Sequence, residues 1–335
     1  MKKLLLLSFG TLALAISSCK NDLDVTDDYR ETMVVYGLLN PNDTAQYIKI
    51  NKAFLGRVSA YTMAAVYDSS NYVHGEITAK LERWLGGSIV QTIPLYKDSV
   101  LPKDAGLFPS PGQVLYKTTS VIQQDGSDYK LIITNNLSGK VVTSSTSIVN
   151  SPAVFNPSPL TTINFVGPQP FKTKWYTSAG GRLYNVTIRM HYLERYVNDT
   201  LQIANKYIDL TFTDVRTSSL HLTGPQELLE QIVDANTFYR NIRNSPQLDA
   251  NLSKERFFQS LEFRYSAAAE DFATYMDVSG TLSASFGDHP TYSNIDGGVG
   301  LFSSRCLYIV PNVNLSSPSK DTLKNGQFTY NLRFQ

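Results

Sequence analysis

Tyr184-Asn185-Val186-Thr187-Ile188-Arg189-Met190-His191-Tyr192 decides the fold class. Tyr184, Val186, Ile188, Met190 and Tyr192 fall on one face, and Asn185, Thr187, Arg189 and His191 on the other. A period of two is the signature of a half-buried β-strand, because successive side chains leave a strand in opposite directions. The same stripe returns in Ile208, Leu210 and Phe212, after a turn near Asn198-Asp199. A long two-faced strand followed by a second one across a short turn reads as antiparallel structure.

Upstream, from Thr32 to Val149, the period of two continues in shorter runs. Ile48 and Ile50 alternate with Tyr47 and Lys49. Ile77, Ala79 and Leu81 alternate with Thr78, Lys80 and Glu82, and Tyr129, Leu131 and Ile133 with Lys130 and Thr134. Met33–Leu39, Ile89–Leu95, Val114–Ile122 and Lys140–Val149 complete seven strands. Asn40-Pro41-Asn42-Asp43, Gly86-Gly87 and Gln124-Asp125-Gly126 supply turns between them. Residues 32–150 therefore read as an immunoglobulin-like antiparallel sandwich, with one short helix over Tyr61–Tyr67. Pro152, Pro157 and Pro159 then break the pattern, so 151–170 reads as a Pro-rich linker or crossing loop. Residues 171–335 form a second antiparallel β-rich domain. Within it Thr223 as cap, Pro225 in the first turn, and Leu228, Leu229, Ile232, Val233 and Tyr239 predict a helix over 225–240. A strand over Phe257–Tyr265, a short helix around Asp271–Met276 and a closing strand through Phe328, Tyr330, Leu332 and Phe334 follow. That aromatic end lacks the repeated two-faced segments of about ten residues that a transmembrane barrel needs.

The amino terminus is of another kind. Lys2 and Lys3 precede an apolar run from Leu4 to Ile16, then Ile16-Ser17-Ser18-Cys19. The run is shorter than the roughly 20 residues that span a bilayer. Charged, apolar and small-residue regions in that order make 1–18 a signal peptide. With Cys directly after the small residues the segment resembles a bacterial lipobox, which implies cleavage before Cys19 and acylation of its thiol. Lys20, rather than Asp, follows, the pattern of lipoproteins sent to the outer membrane. Residues 19–31, including Lys20-Asn-Asp-Leu-Asp-Val-Thr-Asp-Asp28, are acidic and poor in apolar residues, so they read as a tether. Their aspartates lack the central Gly and final Glu of a calcium loop.

The whole chain has 335 residues, 30 basic and 29 acidic. Loss of residues 1–18, with two lysines, leaves 317 residues carrying 28 basic and 29 acidic groups. A near-neutral chain has no general attraction for nucleic acid. Of two cysteines the lipobox uses Cys19, which leaves Cys306 as a buried thiol on the strand face of Phe302, Tyr308 and Val310 and allows no internal disulfide.

The histidines and glycines carry no recognisable catalytic or metal-binding spacing. His74, His191, His221 and His289 are dispersed, without zinc spacing. Gly86-Gly87-Ser88 is not a nucleophile elbow, and Glu270-Asp271 suits a helix start. Gly297-Gly298-Val299-Gly300 precedes a strand rather than a helix, so it reads as a turn or bulge with positive φ rather than a phosphate loop. No cofactor or metal is expected, and a hydrolase is the remote alternative.

Glu270-Asp271-Phe272-Ala273-Thr274-Tyr275, Phe286-Gly287-Asp288-His289-Pro290 and Tyr292-Ser293-Asn294-Ile295-Asp296-Gly297-Gly298-Val299-Gly300-Leu301-Phe302 carry a resemblance. They are similar to the C-terminal signature of a family of Bacteroidota outer-membrane lipoproteins of unknown function, usually encoded beside TonB-dependent receptors. Met33-Val-Val-Tyr36-Gly37 matches the family's early strand. The resemblance implies a non-enzymatic accessory protein, anchored in the outer membrane and facing the exterior, with a receptor as partner and no catalytic residue to transfer. It makes Tyr292, Asn294, Gly297, Gly298, Gly300 and Phe302 a structural motif. Asp-Thr and Asp-Ser pairs at Thr44, Ser99, Thr200 and Thr322 look like O-glycosylation acceptors of the same phylum, placed in turns or at strand ends. Twenty tyrosines offer contact surface for the alternative, a glycan- or peptide-binding module.

Stable anchoring takes more than one acyl chain, so Cys19→Ala is expected to release the protein from membranes. Sedimentation of that variant with membranes after a salt wash refutes the lipobox. Intact mass of the native protein reads the acyl chains on Cys19 and any identical further increments, which must disappear in Thr200→Ala or Thr322→Ala if those sites carry sugar.

Overall fold

The computed structural model describes residues 32–53, 60–73, 75–98, 113–218, 226–280 and 291–335. The expected signal peptide, Cys19 and the expected tether, with Ser99, Thr223, Pro225, His74, His221 and His289, lie outside the described residues. The chain is mostly β, built on large antiparallel sheets with few helices, as the alternation predicts.

The seven N-terminal strands are present: β1 (Met33–Leu39), β2 (Gln46–Lys52), β3 (Ile77–Leu85), β4 (Ser88–Asp98), β5 (Leu115–Thr118), β6 (Asp128–Asn135) and β7 (Val141–Ser147). Apolar residues at alternate positions face one interior that contains Val35, Ile48, Leu81, Tyr129, Leu131 and Val142. Gly86 and Gly87, both at positive φ (59° and 81°), make the tight β3–β4 turn. In place of one helix over Tyr61–Tyr67 there are two short ones, α1 (Ala60–Ala64) and α2 (Tyr67–Ser70). Val66 between them is extended (φ −94°, ψ 121°), which interrupts the helical hydrogen bonds.

Downstream come β8 (Ala153–Asn156), β9 (Thr162–Ile163), β10 (Phe171–Tyr176), β11 (Leu183–Tyr196), β12 (Asp199–Thr211), β13 (Val215–Arg216) and β14 (Leu228–Val233), then β15 (Lys254–Ala268) and β16 (Gly298–Leu315). The helices there are α3 (Ala235–Arg243), α4 (Glu270–Gly280) and α5 (Ser317–Asn325). The strand order β12-β11-β15-β16-β1-β2-β5-β4-β3-β6-β7 shows that β16 joins both halves. Its first residues pair in parallel with β1, Met33 opposite Gly298 through Leu39 opposite Ser304. Its later residues pair antiparallel with β15. The region 171–335 is thus not confined to its own core, since Ile295 and Phe302 pack with the N-terminal strands. The second core gathers Trp175, Tyr184, Phe238, Phe263 and Tyr265, with the Trp175 ring 5.5 Å from that of Tyr265.

Within residues 151–335 the structure departs from expectation in three places. The helix over 225–240 is a strand and then a helix: Leu228–Val233 forms β14 against β10, with Leu229 opposite Trp175 and Val233 opposite Phe171. A spacing of four is close to one helical turn and also twice the strand period, so Leu229 and Val233 satisfy both patterns. Asp234 starts α3 instead, its carboxylate accepting from Thr237 N at 2.9 Å. The segment 151–170 is no free linker. β8 pairs with β10 as the edge of a three-stranded sheet, a place that tolerates prolines, and Phe165 stacks on Phe238 at 3.9 Å. The C-terminal aromatics do not form a strand. Ser316 caps α5 and Gly326 follows its end, then Tyr330–Leu332 makes a single 3-10 turn. Arg256, fully buried, holds this end: its guanidinium donates to Leu332 O at 2.7 Å and to Glu194 at 3.0 Å. Its backbone brackets Phe334 through Arg333 O and Gln335 N.

Candidate functional site

Tyr292–Phe302 works as a clasp. Asn294 is bonded twice to Phe302, its Nδ2 donating to Phe302 O at 2.7 Å and its Oδ1 accepting from Phe302 N at 2.9 Å. The Ser293 hydroxyl accepts from Gly300 N at 3.1 Å. Between them Asp296 and Thr143 of β7 exchange backbone hydrogen bonds of 2.8 and 3.1 Å. Ser304 donates to Ser147 O at 2.6 Å and accepts from Val149 N at 3.1 Å. The last N-terminal strand is thereby brought back to the strand that flanks the first, and the sheet wraps its core.

The glycines allow this approach. Gly297 has φ +76° and Gly300 φ +124°, conformations that disfavour a side chain. A Cβ on Gly300 would stand 1.9 Å from Val35 O, and one on Gly298 2.8 Å from Met33 O. Phe302 is fully buried in the N-terminal core. Tyr292 reaches the other way and donates its hydroxyl to Asp271 in the first turn of α4. Burial, then the Asp271 carboxylate, push the Tyr292 phenol well above its usual range, so it stays a donor. Arg182 holds the same turn through Glu270 at 3.0 Å.

Against α4 thus fixed lies an open cleft of about 350 Å³. Tyr36 and Leu38 of β1, Tyr47 of β2, Phe272 and Tyr275 of α4, and Arg305 of β16 line it, with Asp43 from the β1–β2 turn. Tyr36 and Tyr275 meet edge to face, centroids 6.3 Å apart at 74°. Burial, then the neighbouring Tyr275, raise the Tyr36 phenol above its usual value. Lys117 sits over the Tyr47 ring at 5.5 Å. Arg305 is exposed and has no ion-pair partner among the described residues. The cleft thus offers aromatic faces, phenol hydroxyls, and the acidic Asp43 and basic Arg305. Such a surface can hold a ligand by stacking and by hydrogen bonds.

The other predicted residues are elsewhere. Thr44 is exposed in the β1–β2 turn, and Thr200 is the second residue of β12. Thr322 is in neither a turn nor a strand end but inside α5, half-buried, its hydroxyl donating to Pro318 O at 3.0 Å. His191 faces Glu262 at 3.5 Å on the outer face of β11. Among the described residues no three of His, Cys, Asp and Glu converge on one point, and no helix is long and apolar enough to cross a membrane. Cys306 is buried at the junction of the halves, 3.3 Å from Asn42 Nδ2 and 3.4 Å from the Ser151 hydroxyl, and burial pushes its thiol up. Tyr308, of the same strand parity, remains 38 % exposed. Sequence reasoning missed the cleft. Its one signal was an aromatic residue at Tyr36 and at Tyr47, on the strand face opposite the core.

No protein-family model matches the chain, and no curated protein matches it.

Gly300→Ala is expected to lower the melting temperature far more than Gly139→Ala. Both positions have positive φ, but a Cβ on Gly139 meets nothing within 4 Å, so only strain of about 1 kcal/mol is added there. Gly298→Val should lower thermal stability and surface abundance together. Unchanged stability with lost partner binding would make these glycines a contact surface instead.

Proposed function

We propose that the chain is a non-enzymatic lipoprotein of the outer membrane, anchored through acyl chains such as palmitate on Cys19 and facing the cell exterior. It serves a TonB-dependent receptor or a similar outer-membrane complex as an accessory binding protein. The lipobox, Lys20 after the acylated Cys, and the resemblance of Tyr292–Phe302 support the location and the partner. The observation that carries a binding role is the cleft beside α4. Its walls are aromatic, and Tyr36 and Tyr275 meet edge to face there with their phenol hydroxyls as hydrogen-bonding groups beside the ring faces.

The same aromatic cluster favours a second reading, in which the cleft itself takes a glycan or a peptide and the protein is a surface binding module. The clasp explains the architecture behind either: it pins the start of α4 and sets the height of β16 against β1.

Outer membranes solubilised in mild detergent and pulled on this protein should yield a receptor in stoichiometric amount. Recovery of the lipoprotein alone refutes the accessory role. Tyr36→Ala with Arg305→Ala, both at exposed positions, should leave melting unchanged and reduce receptor recovery or ligand binding at least tenfold. Flat calorimetry of the unaltered protein against glycan and peptide panels removes the second reading.

A further inference from the structure

One rim of the N-terminal body collects the start of β1, the ends of β2, β4 and β6, and the starts of β3 and β7. Met33 is opposite Lys52, Leu115 opposite Asp98, Ile77 opposite Asn135 and Thr134 opposite Val141. α2 sits on this rim, since Asn51 Nδ2 donates to Ser70 O at 2.8 Å. The turn after β6 is tied there by Asn136 N donating to Glu76 O at 2.8 Å. The rim also carries exposed apolar side chains: Leu137 (78 %), Val66 (52 %), Val141 (51 %) and Val73 (46 %). Lys52, Lys97 and Lys140 stand among them, as do Asp68 and Glu76. Lys52 lies over the Tyr72 ring at 5.6 Å, and Lys97 Nζ reaches Tyr72 O at 3.5 Å.

The chain enters the body at this same rim. Thr32 O accepts from Ala53 N at 2.9 Å, directly before β1. Residues 19–31, which join it to the anchor, can reach at most about 45 Å when fully extended. In the anchored reading the rim is thus the part of the body joined most directly to the bilayer, at a high local concentration of lipid.

We propose that this rim rests on the lipid surface, Val66, Val73, Leu137 and Val141 entering the headgroup region while the lysine stems run toward the phosphates. The contact orients the body: the β11–β12 turn at Val197-Asn198, at the far end of the long strands, points away from the membrane, and the α4 cleft opens to the side. The inference rests on the anchored reading of Cys19, so its test replaces the natural anchor.

The mature chain with Cys19→Ser and an N-terminal hexahistidine tag is held on phosphatidylethanolamine–phosphatidylglycerol vesicles containing a nickel-chelating lipid. An environment-sensitive fluorophore is attached at Leu137→Cys or, as control, at Leu201→Cys, which is 92 % exposed on β12 near the far turn. Cys306 is buried and stays unlabelled in the folded protein. Position 137 should shift to the blue and be quenched by nitroxide-bearing lipids at least threefold more than position 201. Val66→Asp with Val73→Asp should reduce that quenching at least twofold, with melting unchanged. Equal quenching at the two positions, or none at 137, overturns the proposal. A failure of acylation at Cys19 would appear in the native intact mass and leave this result intact.

Discussion

Two carbonyl oxygens of β1 occupy the space where side chains on Gly298 and Gly300 would stand. The parallel pairing of β1 with β16 depends on that vacancy, and much of the architecture depends on the pairing. Among the described residues, β16 alone of the strands has side chains in both cores, Phe302 among the N-terminal strands and Val310 among the C-terminal ones. A parallel pair between residue 33 and residue 298 closes a very long loop. The entropy cost of closure grows only slowly with loop length, so a short set of well-made contacts suffices. Asn294 supplies two of them, Thr143 with Asp296 two more, and the buried ring of Phe302 the apolar part.

The clasp has a consequence on the outer face of the sheet. Tyr292 turns away from the core to hold Asp271, and α4 is thereby held over β1 and β16 without covering them. The uncovered strip is the cleft. Tyr36, Tyr275 and Arg305 come together there from three remote parts of the chain. A motif with no chemistry of its own thus builds the wall and floor of the place where binding is proposed. β1 takes part in both places, since it pairs with β16 from Met33 and reaches the cleft at Tyr36.

Local pattern made much of this legible. The seven strands between Met33 and Ser147 follow from alternation and from turns such as Gly86-Gly87, because strands with one buried face must place apolar residues at every second position. The glycine cluster was readable as positive φ before a strand, and Gly297 and Gly300 adopt it. Misreadings came where two periods coincide or where partners are distant. Leu229 and Val233 fit a helix and a strand equally, and Trp175 and Phe171 on β10 decide between them. Pro152, Pro157 and Pro159 announced irregular backbone, yet an edge strand needs only one paired side. Phe328, Leu332 and Phe334 alternate, but the buried guanidinium of Arg256 claims Leu332 O and leaves a turn in place of a strand.

Taken alone, the sequence determined the β class, the positions of the N-terminal strands and the need for small residues at Gly297, Gly298 and Gly300. Each of these is written in neighbouring residues, since alternation, turn chemistry and backbone freedom act over a few positions. Only the tertiary structure decided that β16 runs through both halves, that the segment 151–170 is packed, and that Tyr36, Tyr47, Tyr275 and Arg305 share a cleft. Those facts depend on contacts between residues separated by up to hundreds of positions. Nothing local selects such contacts; they are chosen by which surfaces can be buried together once the backbone carbonyls of β1 find room beside two glycines.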